Sequence, residues 1–261
     1  PYGFHLDVVL PVKLTGASAR DYLIAVLQRF RNDLEAALQV KITDDDLRKS
    51  IILYNQIRRN LQRVYEAKNS NPAAISGQDI YVLLKAAMIM EKNHYLKLLE
   101  QVLRNIQAPG SPPSGKGPKR LVLAGGLCSL PDIYSAIETA GGTVVGDDLC
   151  TGSRNFSGMI KTTGNPLEAL AARMLKRALC PAKHKDNAER AKNLLQIIGD
   201  TKADGVIFLL LKFCDPHAFD YPYLRDFLAA AGIPSLLLEV EDQTGAAGQL
   251  QTRIEAFLET I

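Results

Sequence analysis

Val206-Ile207-Phe208-Leu209-Leu210-Leu211-Lys212-Phe213-Cys214-Asp215-Pro216-His217 decides how this chain is read. Its first six residues form an apolar run with a β-branched start, and that suits a strand buried on both faces of a parallel sheet. The chain turns polar after Leu211. In open parallel sheets, ligands sit beyond the carboxyl ends of the strands, so Cys214 stands where chemistry is expected. Asp215 and Pro216 break the strand, and Asp220 with Pro222 is expected to open the next helix, which leaves Cys214 on a strand-to-helix loop.

Outward from this stretch the same alternation repeats. Upstream, Leu121-Val122-Leu123-Ala124 predicts a strand, Gly125-Gly126 a tight turn, and Ser129-Leu130-Pro131-Asp132 a helix N-cap. Gly141-Gly142 closes that helix and Thr143-Val144-Val145 starts a second strand, followed by helices over 166–179 and 187–198. Downstream, a helix carrying Leu224, Phe227 and Leu228 leads to Ser235–Val240, a fourth strand, and a last helix follows with Leu250, Ile254, Phe257 and Leu258 on one stripe. The fold class is therefore α/β, a small doubly wound, parallel, four-stranded and Rossmann-like sheet over 120–261.

An α-helical layer precedes it. Leu23, Leu27, Phe30, Leu34 and Leu38 share one face, and Thr43-Asp44-Asp45-Asp46 predicts a capping box before Leu47, Ile51, Tyr54, Ile57, Leu61 and Val64. Arg48, Arg58, Arg59 and Arg63 on that helix are expected to form a solvated face. Ser76-Gly77-Gln78-Asp79 is a second capping box, leading to a helix whose Met88 and Met90 are expected in the core, and Tyr95, Leu99 and Leu103 mark a further helix. His5-Leu6-Asp7-Val8-Val9-Leu10 is an extended candidate without a nearby partner. The domains expected are a helical region at 1–107, a Pro/Gly/Ser-rich linker at 108–119 and the α/β part at 120–261.

Composition excludes several classes. The net charge of +3 over 261 residues indicates no polyanion, so no nucleic acid. No apolar run approaches the roughly 18 residues of a membrane span, and the first residues lack a signal peptide's pattern. The chain does not start with Met and is expected to be a segment of something longer. Four cysteines without a CxxC pair fit a reducing, cytoplasmic compartment.

Three cysteines, Cys128, Cys150 and Cys214, follow the first three strands and are expected at one crevice; Cys180, ending a helix, is expected to be structural. Asp147-Asp148-Leu149-Cys150-Thr151-Gly152-Ser153-Arg154 gathers acids, a thiol, hydroxyls and a cation, with Arg154 free to pair with an acid or to bind an anion. Gly125-Gly126 lacks the GxGxxG and P-loop patterns and is taken as a turn. The histidines show no metal spacing, and His217 matters only beside Cys214, with which it could form a nucleophile pair lacking a third member.

Ala203–Phe208, Lys212–His217, Asp220-Tyr221-Pro222 and Thr252–Phe257, with Asp147–Arg154, Lys41–Arg48 and Ile75-Ser76-Gly77, together resemble the 2-hydroxyacyl-CoA dehydratase and benzoyl-CoA reductase family. The resemblance implies an oxygen-sensitive, heteromeric enzyme of anaerobic metabolism. It implies a 4Fe-4S cluster that passes a low-potential electron to an acyl-CoA thioester, the electron being supplied by an ATP-dependent iron–sulfur activator. It implies Cys214 as a cluster ligand, Cys150 as a weaker one, and Asp148, Ser153, Arg154, Lys212 and His217 around the acyl-CoA. The other usual ligands have no counterpart here, so this segment alone is expected to hold no cluster and to be inactive. Two alternatives stand beside this: a CoA-binding or assembly subunit of the same fold without a cluster, and a Cys–His hydrolase.

Overall fold

The structure, a computed structural model, describes residues 3–106, 117–128, 132–177, 180–183, 187–241 and 247–261. Residues 108–116 of the linker expected at 108–119, and the expected N-cap residues 129–131, lie outside them. By contacts the chain forms two compact units, one of residues 1–58 with 157–185 and one of residues 59–156 with 186–261.

The first unit holds α1 (Ala17–Leu38), the opening turns of α2 (Asp44–Ser70) and α7 (Pro166–Arg177). The capping box at the start of α2 forms as expected: Thr43 N–H donates to Asp46 Oδ2 at 3.1 Å, and Asp46 N–H to Thr43 Oγ1 at 3.2 Å. Ala19, Leu23 and Val26 of α1, Ile51 and Ile57 of α2, and Ile160, Leu167 and Ala171 are buried. One polar group sits among them. The buried Asn55 amide donates to Ile160 O at 2.7 Å and accepts from Ile160 N–H at 3.0 Å, so it ties the segment before α7 to α2 as a strand partner would.

The second unit is built on β1 (Lys119–Gly125), β2 (Gly142–Asp148), β3 (Gly205–Leu211) and β4 (Ser235–Val240). All pair in parallel, in the order β2-β1-β3-β4. Side chains alternate between faces as a pleated strand demands. Leu121, Leu123, Ile207 and Leu209 pack with α5 (Asp132–Thr139) and α10 (Ala247–Thr260). Val122, Ala124, Val206, Phe208 and Leu210 pack with α8 (Asn187–Thr201) and α9 (Asp215–Ala230). Helices thus cover both faces, the doubly wound arrangement expected from the alternation. The end of α2, α3 (Gly77–Ile89), α4 (Lys92–Ile106) and the short α6 (Ser153–Phe156) belong to this unit. The Ser76 cap forms, its Oγ accepting from Asp79 N–H at 3.0 Å.

Four local expectations are corrected. Residues 5–10 form no strand; His5 merely meets Asp7 at the surface. Asp147 and Asp148 are the last residues of β2 and not part of a loop. Met88 is 40 % exposed, because it lies on the outer side of α3 while Ile80, Leu83 and Leu84 face inward. Helix α9 starts at Asp215, not after Pro222. Pro216 falls in its first turn, where a missing N–H costs nothing, and only Pro222 forfeits a helical hydrogen bond.

Candidate functional site

The strand order reverses direction between β1 and β3, so the carboxyl ends of these strands open the crevice at which doubly wound sheets bind ligands. Two glycines line its β1 side. Gly125 has φ +142°, and a Cβ there would lie 2.1 Å from Leu209 O. A Cβ on Gly126 would stand 3.3 Å from His217 Cδ2, so the imidazole packs directly on the turn.

From β2 come two buried acids with different tasks. Asp147 accepts from Leu149 N–H at 3.1 Å, from Ser153 N–H at 2.7 Å and from the Tyr65 hydroxyl. Ser153 Oγ donates back to Asp147 O at 2.6 Å, and a Cβ on Gly152 would collide with the Asp147 carboxylate at 2.0 Å. Burial raises the Asp147 pKa while these donors oppose the rise. Asp147 therefore shapes the loop. Asp148 instead receives the Arg154 fork, Nε to Oδ1 and Nη2 to Oδ2, each at 2.7 Å. Arg154 Nη1 lies 3.6 Å from Cys150 Sγ, and Cys150 N–H donates to Gly126 O at 2.9 Å, joining the β2 loop to the β1 turn.

From β3, Cys214 is the N-cap of α9 and half-buried. Its N–H donates to Leu211 O at 3.1 Å, and its carbonyl accepts from His217 and Ala218 N–H groups. The preceding Phe213 is held at φ +65° and is 97 % exposed. His217 is 8 % exposed and makes no side-chain hydrogen bond among the described residues. Burial, then the Arg154 charge, push its pKa down to about 4, so the imidazole is neutral at pH 7. Asp220, one turn along α9, is buried in a forked pair with Arg190 of α8. Lys212 sits at the exposed rim in an ion pair with Glu241, which raises its pKa.

The structure thus brings Asp148, Cys150, Ser153, Arg154 and His217 together through hydrogen bonds and charge. It corrects Cys128, which is 3 % exposed in the core beside Ile133 and Tyr134 and does not face the crevice. Sequence spacing had no means of finding Tyr65 or Arg190, because they reach Asp147 and Asp220 across 82 and 30 residues. A 4Fe-4S cluster asks for a set of thiolates. No group of three His, Cys, Asp or Glu able to hold a metal occurs among the described residues. These residues do not fit a complete cluster, and Cys214 is the one half-buried thiol at the mouth of β3.

Such a crevice defines a class: α/β proteins that take a small ligand beyond the carboxyl edge of a doubly wound sheet. Comparison with protein families narrows the class. Residues 4–261 match the family described as 2-hydroxyglutaryl-CoA dehydratase, D-component, and the chain belongs to it. It is 27 % identical over 256 residues to the (R)-phenyllactyl-CoA dehydratase beta subunit of Clostridium sporogenes, covering 98 % of this chain and 68 % of that one. It is similar at the same level to the C subunit of benzoyl-CoA reductase from Thauera aromatica (27 %; 92 % and 63 % covered). The beta subunit of (R)-2-hydroxyglutaryl-CoA dehydratase from Acidaminococcus fermentans (27 %; 94 % and 65 %) is another such relative. The chain spans about two thirds of the length of these relatives, all of them subunits of acyl-CoA dehydratases or of a reductase. No helix among the described residues is long and apolar enough to cross a membrane.

Proposed function

We propose that this chain is part of a subunit of an acyl-CoA dehydratase or reductase, and that its switch-point crevice faces the acyl thioester. The observation that carries the reading is the conjunction of family membership over residues 4–261 with a polar crevice at the carboxyl edge of β1 and β3. In this reading the Arg154 cation, fixed on Asp148, supplies a positive field to charge developing on the thioester oxygen. The neutral His217 imidazole offers a hydrogen bond or a proton relay at neutral pH without adding charge. Tyr65, Asp147 and Ser153 hold the loop that carries both Cys150 and Arg154.

Cys214 in this reading contributes one thiolate to a 4Fe-4S cluster whose remaining ligands come from polypeptide other than the described residues. The exposed face of α9 supports the presence of such further polypeptide. Phe219, Tyr223 and Phe227 recur at steps of four and are 78, 56 and 42 % exposed, and they follow the protruding Phe213. A companion subunit, an ATP-dependent activator protein and a cytoplasmic setting complete the proposal. The test is anaerobic iron–sulfur reconstitution of the full-length protein and its Cys214→Ala variant, followed by assay with acyl-CoA thioesters and activator. Loss of iron and of charge-transfer absorbance in the variant is expected. Unchanged iron content and spectra would remove Cys214 from the ligand set, leaving the CoA-binding or assembly role.

A further inference from the structure

The first unit contains a cleft that plays no part in the reading above. It has a volume of about 330 Å³, at the lower end of the range of small-molecule pockets, and lies between α1, the segment 159–165 and α7. Its cations are Arg20, Lys161, Arg173 and Lys176; its one acid, Glu168, is already taken by Arg20 at 2.8 Å. Lys161 and Lys176 have no carboxylate within ion-pair distance among the described residues.

Arg173 differs from these surface lysines, because its guanidinium is fixed from behind. Nε donates to Gly158 O at 2.8 Å and Nη2 to Ser157 O at 2.7 Å, both neutral carbonyls. Arg58 and Arg177 crowd the same guanidinium; burial, then these two like charges, push its pKa down to about 9. Arg58 in turn donates to the Asn55 amide and covers the Tyr54 ring, with no carboxylate partner among the described residues. Lys161 and Lys176 add two exposed ammonium groups to the same wall, and like charges around one concave surface raise the local concentration of anions. Thr163 and Asn165 add polar groups to the rim, and Met159 and Ala172 an apolar surface.

We propose that this cleft is a binding site for a small phosphate-bearing anion of nucleotide size. Guanidinium and ammonium groups around a concave wall are suited to phosphate oxygens, and the apolar patch to the body that carries them. The phosphate has two chemical sources: a free nucleoside diphosphate, or the phosphorylated adenosine end of coenzyme A. The site rests on the first unit's own residues, so it stands whether or not the crevice handles a thioester.

Calorimetric titration of the full chain with ADP, adenosine 3′,5′-bisphosphate, coenzyme A and adenosine tests this. Saturable binding of at least one phosphorylated probe is expected, with adenosine silent and with affinity falling several-fold between about 0.05 and 0.5 M salt as charge screening grows. The Lys161→Glu, Lys176→Glu double variant is expected to bind at least about tenfold more weakly. The milder Lys161→Gln, Lys176→Gln pair should fall between, and Lys97→Glu on α4 should match the parent. Preference for the bisphosphate and coenzyme A over ADP identifies the coenzyme as the source; equal binding of ADP identifies a free nucleotide. Silence of all three phosphorylated probes, binding of adenosine as tight as theirs, or indifference to both lysine pairs overturns the proposal.

Discussion

The crevice of the second unit and the cleft of the first treat charge differently. At the crevice every cation described has a carboxylate of its own: Arg154 has Asp148, Arg190 has Asp220 and Lys212 has Glu241. In the cleft of the first unit Arg20 has Glu168, whereas Lys161 and Lys176 have no carboxylate among the described residues. Paired charges fix geometry, since each pair orients a loop or joins two elements, and the carboxylate cancels the cation's field at a distance, so that only a group placed directly against the cation feels it. Surplus charges do the reverse. They destabilise their surroundings slightly and keep a place for something from solution.

This contrast can be broken by mutation. Asp220→Ala removes the carboxylate from a buried arginine and is expected to cost about 3–5 kcal/mol, read as a lower urea midpoint. Gly125→Ala forces a side chain into positive φ and into Leu209 O; a loss of about 3 kcal/mol is expected from the strain and overlap together. A stability within experimental error of the parent for either variant would mean that the crevice is looser than its contacts indicate.

His217 gives a pH signature. Its folded pKa, about 4, lies below its ordinary 6.5, so the folded state binds fewer protons than the unfolded state between these values. Its contribution is intact above pH 6.5 and is lost as pH falls toward 4, by up to roughly 3 kcal/mol. His217→Asn should flatten that acid limb, and unfolding titrations from pH 7.5 to 4, in roughly half-unit steps, check it. Tyr65→Phe leaves Asp147 with two backbone donors and is expected to cost about 1–2 kcal/mol. The smallest effect falls in the other unit. Lys161→Gln with Lys176→Gln should leave thermal stability within about 0.5 kcal/mol of the parent, because neither ammonium holds an acid among the described residues.

The fold is legible in the sequence where the signal is local. The apolar strand runs, both capping boxes and the glycine stops placed the sheet and most helices, because each depends on residues a few positions apart. Legibility ends where long-range packing decides. Pro222 looks like a helix start, yet tertiary packing carries α9 through it. Cys128 follows a strand as Cys150 and Cys214 do, but its side chain points into the core, which no spacing reveals. The Asp147–Arg154 segment was legible as a polar cluster; that Asp147 serves the loop while Asp148 holds Arg154 depends on Tyr65 and on Gly152.

Asn55 has a kinetic meaning. By gripping both the N–H and the carbonyl of Ile160, it holds the segment that walls the cleft in place before any visitor arrives. A receptor so braced has no slow folding step to complete on capture. Association with a small anion should therefore follow a single exponential whose rate climbs linearly with concentration, and Asn55→Ala should bend that line toward a plateau.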